Sequence, residues 1–262
     1  MTSHTPQPSQ ARNVVRLDSK RPHGVCSTCR VRELCLPSGL SAADLATVNH
    51  YIHRKHTVAR GEALFAYQEP LQMLYALRTG FMKSSVPHPD GGEQVTGFHM
   101  SGDLIGLDAL ADGVTICKVT ALQDSEICEI SLNALELLTR KVAPLQRHFH
   151  RVMSREIVHR HEMMLLLANV RAQERVALFL LDLSQRHAAR GYPAVDFVLH
   201  MTRTDIGSYL GLTIETVCRG LAQLHKEKRI EMNGRHIRIT DLAGLTFMAN
   251  RGAAALNPAA PH

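Results

Sequence analysis

From position 142 to 169 the chain has no glycine and a single proline, Pro144, placed where a first helical turn tolerates it, so the pattern predicts one long helix. Its apolar positions, Leu145, Phe149 and Val152, then Met153, Ile157, Met164 and Leu167, recur at steps of three and four, which makes a coiled-coil seam. A second copy of the chain is the natural partner for a helix of this length. The same spacing carries Arg160 into the seam, where two like charges across a twofold axis oppose pairing by ~1 kcal/mol when solvated. The alternative is that Arg160 turns outward and pairs with Glu156, one turn earlier.

Ahead of this helix, over 40–131, short apolar runs are broken by glycines at the spacing of an antiparallel sandwich or barrel, with 73–77 and 127–130 as strands and a short helix over 42–54. Behind it, the run Thr202-Arg203-Thr204-Asp205-Ile206-Gly207-Ser208-Tyr209-Leu210-Gly211-Leu212-Thr213-Ile214-Glu215-Thr216-Val217-Cys218-Arg219 has the layout of a helix-turn-helix. Thr202 caps a first helix, Gly211 supplies the turn and Thr213 caps a second. Ile214, Val217, Leu221 and Leu224 share the buried face of that second helix. Glu215, Thr216, Cys218 and Arg219 are then left for DNA, with Thr202, Arg203 and Thr213 beside them. Arginine donates twice to guanine and glutamate accepts from cytosine, so a G·C pair is the expected target. Residues 230–239 alternate around Asn233-Gly234 as a hairpin whose basic residues, Arg235 among them, suit a phosphate-following wing.

With 262 residues, 45% apolar and 21% charged, the chain is long enough for one or two real cores. The net charge of +6 suits a polyanionic partner. No apolar run reaches the ~20 residues of a membrane span and the start lacks a secretory pattern, so a cytoplasmic protein with no membrane partner is expected. An enzyme is not: the chain has no His-Glu-x-x-His, Gly-x-Ser-x-Gly or phosphate-loop motif, and the histidine pairs 148/150 and 159/161 do not face one way on a helix.

In a reducing compartment six cysteines point to metal or redox chemistry rather than disulfides. Cys26, Cys29 and Cys35 fall within ten residues on a segment too short for a core of its own, one that must be ordered by what it binds. An iron–sulfur cube and a zinc ion both need a fourth ligand from elsewhere, with Cys117 and Cys128 as candidates, and free thiols are the third possibility. Spacing alone does not choose among them.

The trio Cys26/Cys29/Cys35, the run Gly97-Phe98-His99-Met100-Ser101-Gly102-Asp103-Leu104-Ile105-Gly106-Leu107-Asp108-Ala109, the triplet Cys128-Glu129-Ile130 and the segment 212–219 are together highly specific. Through them the chain, from 26 to 247, resembles the fumarate–nitrate reduction regulators, the oxygen-sensing branch of the cyclic-AMP receptor protein superfamily. The resemblance implies an α+β fold in which an N-terminal, jelly-roll-like β-roll sensor domain is followed by a long dimerisation helix and a C-terminal winged helix-turn-helix. It further implies that Cys26, Cys29, Cys35 and Cys128 hold a [4Fe-4S] cluster and that its loss to oxygen breaks up a homodimer. That dimer would bind inverted-repeat double-stranded DNA and, with RNA polymerase, activate or repress anaerobic genes. Cys117 is then a small core hydrophobe.

Two departures stand out. Cys218 replaces the serine usual in the family's recognition set, either as a near-isostere or as a second redox-sensitive thiol. Residues 108–119 contain no arginine, which removes the main partner of a cyclic phosphate and argues against a cyclic-nucleotide sensor. The expected organisation is a mobile tail over 1–24, a cluster-binding segment over 25–39, the roll over 40–140, the dimerisation helix over 141–169, the DNA-binding domain over 170–248 and a frayed tail over 249–262.

Overall fold

The computed structural model describes residues 26–254; the expected tail at 1–24 and the last residues of the expected C-terminal tail lie outside them. After a 3-10 turn at Cys26–Thr28 comes helix α1 (Ala42–Tyr51), capped by Ser41, whose hydroxyl accepts from the Asp44 N–H at 3.2 Å. Strands β1 (Ile52–Val58), β2 (Ala63–Phe65), β3 (Met73–Thr79), β4 (Phe81–Pro87), β5 (Glu93–Met100), β6 (Leu104–Ile105), β7 (Lys118–Ala121) and β8 (Ser125–Ser131) follow. They form two antiparallel four-stranded sheets, ordered β1-β8-β3-β6 and β2-β7-β4-β5.

Side-chain alternation explains how the sheets are covered. On the first sheet Leu77 and Ile127 face the roll interior, with Phe65, Met82, Val119 and Ala121 of the second sheet. Leu74, Ala76 and Ile130 face the other way, against α1 and two helices that follow β8. The second sheet turns Phe81, Val95, Phe98 and Met100 outward, into the core of the C-terminal domain.

Helix α2 (Leu132–Lys141) was not anticipated, being folded into the segment expected to be wholly roll. It ends at Val142 because Pro144 has no N–H with which to continue its ladder, and α3 (Ala143–Asn169) starts there in a new direction. The C-terminal domain comprises α4 (Ala172–Ala189), β9 (Asp196–Val198), α5 (Arg203–Leu210), α6 (Ile214–Lys226), β10 (Ile230–Asn233), β11 (His236–Ile239) and α7 (Leu242–Ala254). Its small sheet runs β10-β11-β9. The stretch expected to fray from Ala249 instead continues α7, since Ala249 is buried against the domain core. No helix among the described residues is long and apolar enough to cross a membrane.

The α3 seam divides in two. Leu145 is fully buried in its own subunit, and Phe149 and Val152 pack against the same cluster as Leu36 and Ile130, so these three are not on a free face. Ile157 and Met164 are 54% and 67% exposed, and Val158 and Leu165, which the spacing did not select, stand exposed with Leu167. Arg160 also departs from expectation. It pairs with Glu156 at 2.6 Å and donates to the Thr96 carbonyl of β5. Its charge is neutralised within its own subunit, and the repulsion expected across a twofold axis has no basis in this arrangement.

Candidate thiol centre and nucleic-acid interface

The Cys26 N–H donates to Asn49 Oδ1 on α1 at 2.9 Å, and the turns after it close with Cys29 N–H to the Cys26 carbonyl at 3.2 Å and Cys35 N–H to the Val31 carbonyl at 3.0 Å. The segment is thus ordered by packing on the roll, contrary to expectation: Leu36 is fully buried and Val31 nearly so. Cys128 lies on the central strand β8, opposite Lys55 of β1 and Ala76 of β3. Strand alternation places it with Ile130 on the helix-covered face, and Cys26, Cys35 and Cys128 all pack against that one cluster.

The four thiols lie within electrostatic reach of one another. Burial, then the charges of Cys128 and Cys29, push the Cys26 thiol up to about 12. Burial and then Cys29 push Cys128 up to about 11, opposed by Arg78. Cys35 is raised further, chiefly by burial, with Cys26, Cys128 and Cys29 adding to it. Among the described residues no three His, Cys, Asp or Glu groups are drawn close enough to grip a single metal ion in this conformation. Cys117 belongs to the other side of the sheet, in the roll interior, where its thiol donates to Asp108 Oδ2 at 3.6 Å. Burial and the Asp108 charge raise it to about 12.

The thiol segment meets α3 in two ways. Leu36 shares a cluster with Leu145, Phe149 and Val152, and the buried His148 lies against the Cys35 backbone. Neither His148 nor Asn49 was anticipated, because nothing in local spacing marks a residue that acts through a distant turn.

In the C-terminal domain the local signals hold closely. Thr202 and Asp205 form a reciprocal cap, with Asp205 N–H to Thr202 Oγ1 at 3.0 Å and Thr202 N–H to Asp205 Oδ2 at 2.9 Å. Gly211 adopts the left-handed conformation at φ 62°, and a side chain at Gly207 would meet the Leu212 carbonyl at 2.6 Å, so both glycines are needed for the tight turn. The Thr213 hydroxyl accepts from Thr216 N–H at 3.2 Å and starts α6. Val217, Leu221 and Leu224 are buried, whereas Ile214, expected with them, is 44% exposed. Glu215, Cys218 and Arg219 are exposed on one face of α6, and Thr202 is exposed at the start of α5. Arg219 donates to Thr216 Oγ1 at 3.3 Å.

The hairpin pairs Asn233 with His236, so its two-residue turn is Gly234-Arg235 rather than Asn233-Gly234. The Arg203 guanidinium donates to the Gly234 carbonyl at 3.0 Å and ties α5 to the wing. Strand β9, missed because it is only three residues long, brings Asp196 beside His236 at 2.5 Å and Arg238 at 3.1 Å. Asp196 thus engages both His236 and Arg238, and Arg235 at the turn donates to the His200 carbonyl at 3.4 Å.

Arg175 joins the two domains' helices by donating to the carbonyls of Leu167, Val170 and Leu210, at 2.7, 2.8 and 3.0 Å. A cavity of 430 Å³ lies between the roll and α3, lined by Ser84, His99, Asp108, Cys117, Ile157 and Arg160 among others. Its one lining guanidinium is that of Arg160, already engaged by Glu156 and Thr96.

Residues 174–248 match the Crp-like helix-turn-helix domain family, and residues 55–141 match the cyclic nucleotide-binding domain family. The chain is 39% identical over 220 residues to the transcriptional regulatory protein btr of Bordetella pertussis, covering 84% of this chain and 91% of that one. It is 39% identical over 224 residues to the fumarate and nitrate reduction regulatory protein of Salmonella typhimurium, covering 86% and 90%. Among solved structures, FixK2 from Bradyrhizobium japonicum superposes with a TM-score of 0.69 at 31% identity, covering 74% of this chain and 96% of that one.

Proposed function

The chain belongs to the fumarate–nitrate reduction branch of the cyclic-AMP receptor protein superfamily, and from that premise we propose that it is an oxygen-responsive regulator whose thiols govern pairing and operator binding. Its place among DNA-binding transcription regulators, not enzymes, follows from the family. The finer reading is supported above all by the grouping of Cys26, Cys35 and Cys128 against one cluster on the first sheet, with Cys29 within electrostatic reach of them and Cys117 apart.

This donor set suits a [4Fe-4S] cluster: four sheltered thiols with separate anchor points, one per iron, which need not converge on one ion. When bound, such a group supplies oxygen-sensitive redox chemistry. The chain's own residues do the rest. Leu36 and the Cys35 backbone rest on Leu145 and His148, so order in the thiol segment bears directly on the first half of α3. The second half presents Ile157, Val158, Met164 and Leu165 for a second copy. Two α6 helices would then read half-sites of an inverted repeat through Glu215 and Arg219, with Arg235 on phosphate and RNA polymerase as the downstream partner.

Anaerobic purification with visible spectroscopy and iron and sulfide assay tests the cofactor. About four irons and four sulfides per chain, bleached by air, are expected. Colourless protein with one zinc per chain would mean a zinc-stabilised regulator of the same fold. A cyclic-nucleotide ligand is disfavoured by residues 108–119, which lack arginine, and by the prior engagement of Arg160.

A further inference from the structure

The C-terminal domain is seated on the roll as well as joined to it by α3. Phe98 of β5 meets Phe179 of α4 and Tyr209 of α5 at ring-centroid distances of 6.0 and 5.0 Å, and Phe81 of β4 meets His200 at 5.2 Å. One apolar core runs through both domains. Polar ties surround it. Asp103, in the turn between β5 and β6, accepts from Arg186 at 2.8 Å and from Arg190 at 2.5 Å, both on α4. Those two arginines also donate to the Phe98 and Ser101 carbonyls, at 2.8 and 2.7 Å. On the far side Lys83 of β4 pairs with Asp205 of α5 at 2.6 Å, and the Val95 N–H donates to Ser208 Oγ at 2.8 Å.

Glu215, Cys218 and Arg219 nevertheless remain exposed on α6. The seat therefore fixes where the reading helix stands without covering it. In a pair of chains joined along α3, that position sets the distance of each α6 from the twofold axis. DNA is demanding here, since half-sites one turn apart are ~34 Å from centre to centre.

We propose that Asp103 is a positioning residue for DNA recognition: by holding Arg186 and Arg190 of α4 on the roll, it sets which half-site separation the paired molecule accepts. Lys83 acts in the same sense from β4 through Asp205. This rests on the paired, inverted-repeat reading given above.

The test uses full-length protein made without air and a half-site selected by the wild type from random duplexes. Binding is measured to one half-site alone and to inverted repeats whose separation is stepped by single base pairs around one turn. Wild type is expected to prefer one separation on the order of tenfold over its neighbours, the scale of one charge-assisted hydrogen bond. Asp103→Asn keeps an acceptor for the Met100 N–H but loses the charge that holds the arginines. It should bind the single half-site as wild type does and accept the neighbouring separations to within about threefold. Lys83→Met, which leaves the Thr202–Asp205 cap in place, should flatten the profile in the same direction and serves as the second variant if Asp103→Asn folds poorly.

An unchanged separation profile in both variants overturns the proposal. So does an equal loss of affinity at every separation and on the single half-site, which marks a merely structural role. If wild type itself shows no separation preference, the paired reading fails, and the role of Asp103 fails with it.

Discussion

Arg160 lies one helical turn after Glu156 on α3 and pairs with it at 2.6 Å while its guanidinium also reaches the Thr96 carbonyl of β5. The residue that spacing placed between two subunits is thus a tie within one. Arg160→Leu without cofactor should sediment as wild type does, with a stability loss of no more than about 1 kcal/mol, because both partners are well exposed and the pair is screened. Spontaneous dimerisation of this variant would restore the repulsion argument.

Cys128 and Cys117 provide a matched pair. Cys128→Ala should lose the iron and sulfide of anaerobic protein. Cys117→Ala should retain them and cost about 1 kcal/mol in denaturant unfolding, since it vacates a small site in the roll interior. The reverse assignment of iron contents would remove Cys128 from the proposed ligand set.

Arg175 holds three carbonyls, two of them on fully or nearly fully buried residues. Arg175→Ala should destabilise the chain by about 2 kcal/mol in urea. Arg175→Lys should recover little, because a point charge cannot reproduce a fork that reaches three acceptors.

His187 stacks on Phe197 with centroids 5.0 Å apart, and burial, helped by Arg190, His200 and Arg186, lowers its pKa from 6.5 to about 4. Between those values the unfolded chain binds the proton and the folded chain does not. Stability from this group is complete above about pH 6.5 and is lost as pH falls toward 4, on the order of 1 kcal/mol once its partial exposure is allowed for. Thermal melts from pH 7 to 4.5 should fall less steeply for His187→Phe than for wild type. Equal slopes would contradict the assignment.

Arg219 and Arg235 separate specificity from affinity. Arg219→Ala should cost about 1–3 kcal/mol in operator binding and relax preference at one base pair. Arg235→Ala should weaken all duplexes alike and reduce the salt slope by about 1. Footprinting of a degenerate operator against salt concentration distinguishes the two.

The parts legible from sequence were those written in short range. Thr202, Gly211 and Thr213 each act on the backbone within a few residues, and the structure uses all three as spacing implied. The two-sheet roll was visible in its glycines, though not its pairing order, which joins β1 to β8 across the domain. What stayed hidden depends on which partner a side chain meets. Leu145 and Ile157 are linked by steps of three and four, yet twelve residues carry them about 120° apart around α3, so one is buried in its own roll and the other exposed. The same limit hid Asp196, whose strand of three residues has no periodicity to detect, and Asn49 and His148, whose partners lie far away in the chain.

If the state of the Cys26, Cys29, Cys35 and Cys128 thiols decides pairing and thereby DNA binding, air should convert one form of the protein into the other. The direct measurement splits one anaerobic, coloured preparation, bleaches half with air, returns it to anoxic buffer, and compares sedimentation and operator titration. The coloured half should be a dimer that binds the inverted repeat about a hundredfold or more tighter than a bleached monomer, the gain expected when two half-sites are engaged together. A bleached sample that remains dimeric and binds the operator as firmly would show that these thiols do not control pairing.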